Sequence, residues 1–141
     1  GRTARFGRRC PVCGLAEAAR VLGLVEDLAE LLPACDVSGT QAGPVAIAED
    51  LATGLPPVIT GCLPGQESPN VDVVVESGVG KFSPKDDELL EEIRVLAEGG
   101  PTWREMSRKA AELAHPYASS DIARECLLLA ARYRASAQAS L

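Results

Sequence analysis

A loop of small residues precedes a helix pattern and has the composition of a phosphate-binding turn. The loop reads Thr40-Gln41-Ala42-Gly43, and the helix pattern begins at Pro44. Small residues let backbone N–H groups approach a ligand closely, and the first N–H groups of a helix attract anions. The loop contains neither GxxxxGK[ST] nor GxGxxG. An ordinary proline start of a helix is therefore the alternative to a phosphate site.

Glu49 lies five residues into the same helix pattern, and Asp50 follows it. A carboxylate one turn beyond a phosphate can accept two hydrogen bonds from the hydroxyls of a ribose. The alternative is a solvated glutamate on a helix surface. If Glu49 binds ribose, Asp50→Ala is expected to leave nucleotide binding unchanged.

A second loop combines an amide with a carboxylate at the entrance of another helix. It reads Pro64-Gly65-Gln66-Glu67, and Asn70 lies one turn further on. Sugar hydroxyls both donate and accept hydrogen bonds, so amide and carboxylate pairs suit them. The alternative is a capped turn with no ligand.

The cysteines and the single histidine do not form a metal-site pattern. The five cysteines are odd in number and irregularly spaced, which argues against a disulfide framework and favours a reducing compartment. Cys10-Pro-Val-Cys13 supplies only two thiols, whereas a structural zinc needs four ligands, and His115 lies far along the chain. We therefore expect no metal and no cofactor.

Length and charge limit the classes of function. The chain has 141 residues, about one domain, and a net charge of −6, which disfavours nucleic acid as a partner. Residues 1–20 carry five arginines and one glutamate. This basic segment is a solvated stretch or a contact with anionic lipid.

The longest uncharged run, residues 51–66, is interrupted by proline and glycine and is too short to span a membrane. The chain begins with Gly1 rather than Met, so we expect a fragment or a processed product.

Strand and helix patterns alternate along the chain. Apolar or β-prone runs predict four strands, at Val21–Val25, Cys35–Thr40, Pro56–Thr60 and Val79–Phe82. Between and after them, six helices are predicted: Asp27–Pro33, Pro44–Thr53, Ser68 to Gly78, Ser83 to Gly99, Thr102 to Ala114 and Ser120–Arg134. Ser68, Ser83 and Thr102 are the expected N-caps.

The apolar spacing also predicts which face of each helix is buried. The expected buried residues are Val45, Ala48 and Ala52 in the second helix; Val71, Val74 and Val75 in the third; Leu89, Ile93 and Leu96 in the fourth; and Met106, Ala110 and Leu113 in the fifth. The alternation predicts an α/β fold with a three-layer parallel sheet and a helical C-terminal tail. Ligands of such sheets bind beyond the carboxyl ends of strands, where both loops lie.

An ordered series of short motifs makes the chain similar to a known family. The motifs are Asp27-Leu28-Ala29-Glu30-Leu31-Leu32, Cys35-Asp36-Val37, Gln41-Ala42-Gly43-Pro44, Ile47-Ala48-Glu49, Gly54-Leu55-Pro56, Pro64-Gly65-Gln66-Glu67, Asn70, Val74-Val75-Glu76-Ser77-Gly78 and Gly80-Lys81-Phe82. In this order they resemble the C-terminal domain of the monogalactosyldiacylglycerol synthases, in glycosyltransferase family 28. The likeness covers roughly residues 21–114. The domain that it implies spans residues 21–134, with residues 1–20 matching poorly and residues 135–141 forming a tail.

The resemblance implies one Rossmann-like half of a GT-B enzyme, whose C-terminal domain holds a UDP-sugar and whose N-terminal domain holds the lipid acceptor and the catalytic base. It implies inverting transfer of galactose from UDP-galactose to diacylglycerol. By this likeness Ala42, Gly43 and Pro44 line the diphosphate, and Glu49 binds the ribose. Gln66 and Glu67 face the galactose, with Asn70 close by. The implied location is a plastid envelope or another membrane surface, reached by peripheral contact.

Several residues differ from the family pattern, and two other functions stay open. Gln41 stands where plant-type members have a lysine, and Val45-Ala46 replaces Gly-Thr. Ser38-Gly39 weakens a strand that is usually β-branched, and Asp50 replaces a small residue. One alternative is the donor-binding subunit of a two-subunit UDP-N-acetylglucosamine transferase. The other is a non-catalytic remnant that serves as an interaction module.

Overall fold

The computed structural model describes residues 22–138, with side chains through residue 134. The expectations for residues 1–20, including Cys10 and Cys13, and for residues 139–141 lie outside this range. The elements are α1 Leu28–Leu31, a 3₁₀ turn Leu32–Ala34, β1 Ser38–Gln41, α2 Pro44–Ala52, β2 Pro57–Gly61, α3 Ser68–Glu76, β3 Lys81–Phe82, α4 Asp86–Ala97, α5 Pro101–Leu113 and α6 Ala118–Gln138.

The three strands form one parallel sheet in the order β1-β2-β3. Gly39 pairs with Val58, and Val58 pairs with Lys81. The register shifts between Thr40 and Gln41, where β1 ends. Because all three strands run the same way, their carboxyl ends share one edge of the sheet, as the α/β prediction requires.

Helices cover both faces of this sheet, which confirms the three-layer arrangement. Neighbouring residues of a strand point to opposite faces, and both Val58 and Ile59 are fully buried. Ile59 belongs to a cluster with residues of α2, α3 and α5, namely Ile47, Leu51, Val71, Val74 and Ala110. Val58 packs in a second cluster with Leu96 of α4 and Met106 of α5.

Gly80 allows β3 to lie close to β2. A Cβ atom at Gly80 would overlap the Pro57 carbonyl oxygen and would also crowd the side chain of Val74. Only glycine, which has no side chain, fits between β2 and α3 at this point. The glycine therefore sets the approach of β3 to the sheet.

The buried face of α2 differs from the prediction. The helix begins at Pro44 as expected, and Gly54 follows its end with a φ of +68°. Ile47, Asp50 and Leu51 are its buried residues, whereas Val45, Ala48 and Ala52 are exposed. The larger Ile47 and Leu51 bury more apolar surface than the predicted valine and alanines. In α3 the predicted Val71 and Val74 are buried, but Val75 is half exposed.

The predicted first strand and three N-cap assignments are wrong. Residues 22–25 form no strand, and Leu24 is 97% exposed. The caps of α3, α4 and α5 are Glu67, Lys85 and Gly100 rather than Ser68, Ser83 and Thr102. The N–H of the buried Ser83 donates to the Ile59 carbonyl oxygen at 2.9 Å and prolongs the pairing of β3 with β2. Helix α4 therefore begins only at Asp86.

The remaining elements follow the prediction closely. Strands β1 and β2 begin one to three residues later than expected, and β3 is limited to Lys81–Phe82. Leu96, Met106 and Ala110 are buried as predicted. Helix α6 confirms the helical C-terminal segment and is longer at both ends than expected, and the side chains of residues 119–134 are all exposed.

Candidate functional site

Hydrogen bonds join the two predicted loops at the carboxyl edge of the sheet. The Ala42 N–H donates to the Gly61 carbonyl oxygen at 3.0 Å, and the Asn70 side-chain amide donates to the Ala42 carbonyl oxygen at 2.8 Å. The Thr60 hydroxyl donates to the Thr40 carbonyl oxygen at 3.1 Å. The loop after β1 and the loop after β2 therefore form one structural unit around the fully buried Ala42.

The first turn of α2 presents free N–H groups at this edge. Gly43 is the N-cap, and its carbonyl oxygen accepts the Ile47 N–H at 3.1 Å. Neither a side-chain cap nor any other described residue accepts a hydrogen bond from the Gly43 N–H. A Cβ atom at Gly43 would meet no other atom within 4 Å. The Gly43 φ of −69° is one that any residue can adopt. The fold itself therefore does not require glycine at this position. A glycine would be required if an anion approached the backbone closely, because a side chain would stand in its way.

Glu49 lies on the exposed face of α2, on the same side as Val45, four residues earlier. At a rise of 1.5 Å per residue, it stands about 7–8 Å along the helix from Pro44. Its carboxylate forms no hydrogen bond or ion pair with another described side chain. It is therefore available to a ligand that occupies the start of the helix.

Glu67 and Gln66 differ in how they are held within the second loop. The Leu63 N–H donates to the Glu67 carboxylate at 2.8 Å, and the Glu67 N–H donates back to the Leu63 carbonyl oxygen at 2.9 Å. Gly65 adopts a φ of +79°, which lets the turn close. The Gln66 side chain is exposed and forms no hydrogen bond with a described residue. Of the two side chains, only that of Gln66 is left free to bind a ligand, because the Glu67 carboxylate is bonded within the loop.

Asp50 is 2% exposed, and its Oδ2 atom lacks a hydrogen-bond partner among the described residues. Burial raises the pKa of this carboxyl from 3.8 to about 6; a hydrogen bond from Ser38 opposes the rise, and the charge of Glu49 adds to it. Asp50 thus lies on the buried face of α2, whereas its neighbour Glu49 lies on the exposed face. The expectation that Asp50→Ala is a neutral control does not suit a buried position, since that change would also alter packing.

Other site types receive no support in the described part of the chain. Residues 22–138 contain no group of three or more side chains that could hold a metal ion. In the same range, no helix combines the length and the apolar character needed to cross a bilayer. Three cysteines in this range, Cys35, Cys62 and Cys126, are free thiols.

A cavity of about 570 Å³ lies between α3, β3 and α4. Val75 and Phe82 provide apolar lining, and Asp72 and Glu76 line it with carboxylates. Lys81 pairs with Glu92 across it at 3.6 Å. None of the predicted site residues lines this cavity, and the sequence pattern did not indicate it.

The sequence placed the loops correctly but did not indicate how some of their residues are used. Ala42, Gly43, Pro44 and Asn70 come together at the sheet edge, while Glu67 bonds within its own loop. The bond from Asn70 to Ala42 spans 28 residues. No local pattern reports such a contact. The burial of Asp50 could have been inferred only by placing Ile47 and Leu51 on the buried face of α2.

Sequence comparison relates the chain to several plant proteins. It is 41% identical over 103 residues to monogalactosyldiacylglycerol synthase 1, chloroplastic, of Arabidopsis thaliana, covering 70% of this chain and 19% of that protein. For probable synthase 3 of Oryza sativa subsp. japonica, the identity is 38% over 107 residues, covering 75% and 21%. For the probable synthase of Glycine max, it is 35% over 120 residues, covering 82% and 22%. The chain thus spans about a fifth of the length of these relatives.

Structural comparison supports the fold independently. The crystal structure of the glycotransferase of kitacinnamycin matches with a TM-score of 0.58 and 21% identity, covering 85% of this chain and 33% of that chain. The likeness identifies the GT-B glycosyltransferase fold. No protein-family model matches the chain. Over the region that it spans, the chain therefore belongs to the monogalactosyldiacylglycerol synthase family and corresponds to the C-terminal domain of that family.

Proposed function

We propose that this chain is the UDP-sugar-binding part of an inverting galactosyltransferase that transfers galactose from UDP-galactose to diacylglycerol. Residues 21–134 form the donor domain in this proposal, and residues 1–20 and 135–141 lie outside it. The relationship to the synthases supports the reaction. The observation that carries the donor site is the free, open N-terminus of α2 at the carboxyl end of β1.

The proposed site divides the donor between two loops. The diphosphate lies against Ala42, Gly43 and Pro44, where the helix dipole favours negative charge. The ribose hydroxyls donate to Glu49. The galactose lies towards the second loop, with Gln66 as its main polar contact and Glu67 holding the loop in shape.

The isolated chain should bind UDP but transfer no sugar. UDP at about a hundred times its dissociation constant should stabilise the fold by about 2.7 kcal/mol, which a thermal shift detects. Glu49 is assigned to the ribose and Glu67 is bonded within its loop. No general base is therefore assigned beside the donor. Product formation from UDP-galactose and diacylglycerol by this chain alone would contradict the division of roles, and absence of a thermal shift would contradict the donor site.

Gln41→Lys should strengthen UDP binding. Gln41 is exposed at the end of β1, directly before the diphosphate loop, and brings no charge to it. A lysine at an exposed site beside a diphosphate contributes a screened attraction, for which we expect about two- to fivefold tighter binding. Calorimetric titration at low and high salt measures the gain, which salt should reduce. Gln41→Met is the matched control, and an equal gain there would show that charge is not the cause.

The same relationship supports a proposal on location and partners. The relatives are named chloroplastic, and we place this protein in a plastid, with peripheral contact at the envelope or another membrane surface. Diacylglycerol would reach the donor through the acceptor domain of the complete enzyme. The free thiols of the described residues suit a reducing compartment.

A further inference from the structure

We propose that Asn70 is a positioning residue, which fixes the Ala42–Gly43 peptide so that the Gly43 N–H faces the donor diphosphate. This inference rests on the proposed function and changes the role of Asn70 within it. The family resemblance places Asn70 near the galactose. The contacts of its side chain point instead to the phosphate end of the site.

The Asn70 side chain already forms a hydrogen bond within the protein. Its amide nitrogen donates to the Ala42 carbonyl oxygen at 2.8 Å in a partly buried setting. The Asn70 backbone N–H donates to the Glu67 carbonyl oxygen at 2.9 Å, which holds Asn70 in the first turn of α3. Asn70 therefore connects the start of α3 to the loop before α2.

The bond to Ala42 determines the direction of the next N–H group. Ala42 and Gly43 share a trans peptide unit, in which the C=O and N–H bonds point in opposite directions. Because Asn70 holds the Ala42 carbonyl oxygen on one side, the Gly43 N–H must face the other side. That N–H has no partner among the described residues, and the space beside Gly43 is open. The Ala42 N–H, bonded to Gly61, anchors the same segment from its other end.

The two roles of Asn70 predict different binding patterns. A residue that orients the diphosphate loop affects UDP and UDP-galactose equally, because both carry the diphosphate. A residue that contacts galactose affects UDP-galactose only. Asn70→Asp keeps the shape and replaces the donor with an acceptor that repels the Ala42 carbonyl oxygen.

We expect Asn70→Asp to weaken UDP and UDP-galactose by the same factor, about tenfold, in calorimetric titrations of the full chain. Asn70→Ala should weaken both to a smaller extent, since it removes the bond without adding repulsion. Asp72→Asn, on the exposed face of the same helix, is the control and should change neither affinity. Unchanged UDP affinity with weakened UDP-galactose binding in Asn70→Asp would overturn the inference.

A second measurement tests the contact in the wild-type chain, whether or not the variants fold. NMR should detect scalar coupling across the hydrogen bond between the Asn70 side-chain nitrogen and the Ala42 carbonyl carbon. Absence of this coupling would overturn the inference while leaving the proposed function standing. A wild-type chain that shows the coupling but binds neither nucleotide would instead overturn the proposed function, and with it the role that Asn70 has towards a diphosphate.

Discussion

Glu49→Ala should weaken UDP binding by about ten- to a hundredfold. Hydrogen bonds to a charged group contribute about 1.5–3 kcal/mol, and each 1.4 kcal/mol is about tenfold in affinity. Glu49 is exposed, stands one turn and a half from the start of α2, and has no competing partner in the described structure. Its loss should barely change stability, because alanine is the better helix former. Calorimetric titration with UDP measures the first effect and urea unfolding the second.

A control for Glu49 has to be exposed, helical and remote from the site. Glu125 in α6 meets these conditions and forms no ion pair in the described residues. Glu125→Ala should leave UDP affinity unchanged. Equal UDP affinities for wild type and Glu49→Ala would show that the ribose assignment is wrong.

Asp50→Asn should stabilise the fold by about 3 kcal/mol at pH 7. Burial raises the pKa of Asp50 from 3.8 to about 6, and each unit corresponds to about 1.4 kcal/mol. The folded state holds the proton more tightly than the unfolded state, so ionisation costs stability as pH rises from about 4 to about 6. Asparagine is neutral and of the same shape, and its amide can still bond to Ser38.

The pH dependence separates this cause from general repacking. The stability gain of Asp50→Asn over wild type should be full above pH 7 and should fall to about 0.5 kcal/mol at pH 4, where Asp50 is protonated in the fold. Urea unfolding of both chains at the two pH values gives the difference, in which the other titrating groups cancel. A gain that is the same at both pH values would show that the charge of Asp50 is not involved.

The sequence predicted those parts of the fold that local chemistry determines. Pro44 and Gly54 define the limits of α2, and both candidate loops fall at strand ends because proline, glycine and apolar runs act locally. The buried face of α2 was predicted wrongly, because alanines and valines suit either face and only packing selects Ile47 and Leu51. The start of α4 was missed because Ser83 bonds to Ile59, a residue remote in sequence.

In the candidate site, too, some features depend on local sequence and others on packing. The candidacy of Gln66 and Glu49 as ligand groups rests on their type and spacing, which the sequence shows directly. The use of Glu67 within its own loop, the bond from Asn70 to Ala42 and the burial of Asp50 depend on the folded geometry. Residue type shows which groups a side chain offers, but only the structure shows which of them the protein has already used.

The most direct test of the proposed donor site is an amide NMR titration of the wild-type chain with UDP. We expect saturable shifts at the backbone amides of Gly43, Val45 and Ala46, followed along α2 by Glu49. The amide of Glu92, beside the separate cavity of β3 and α4, should not move. Shifts confined to that cavity, or no saturable shift at Gly43, would contradict the assignment of the α2 loop as the diphosphate site.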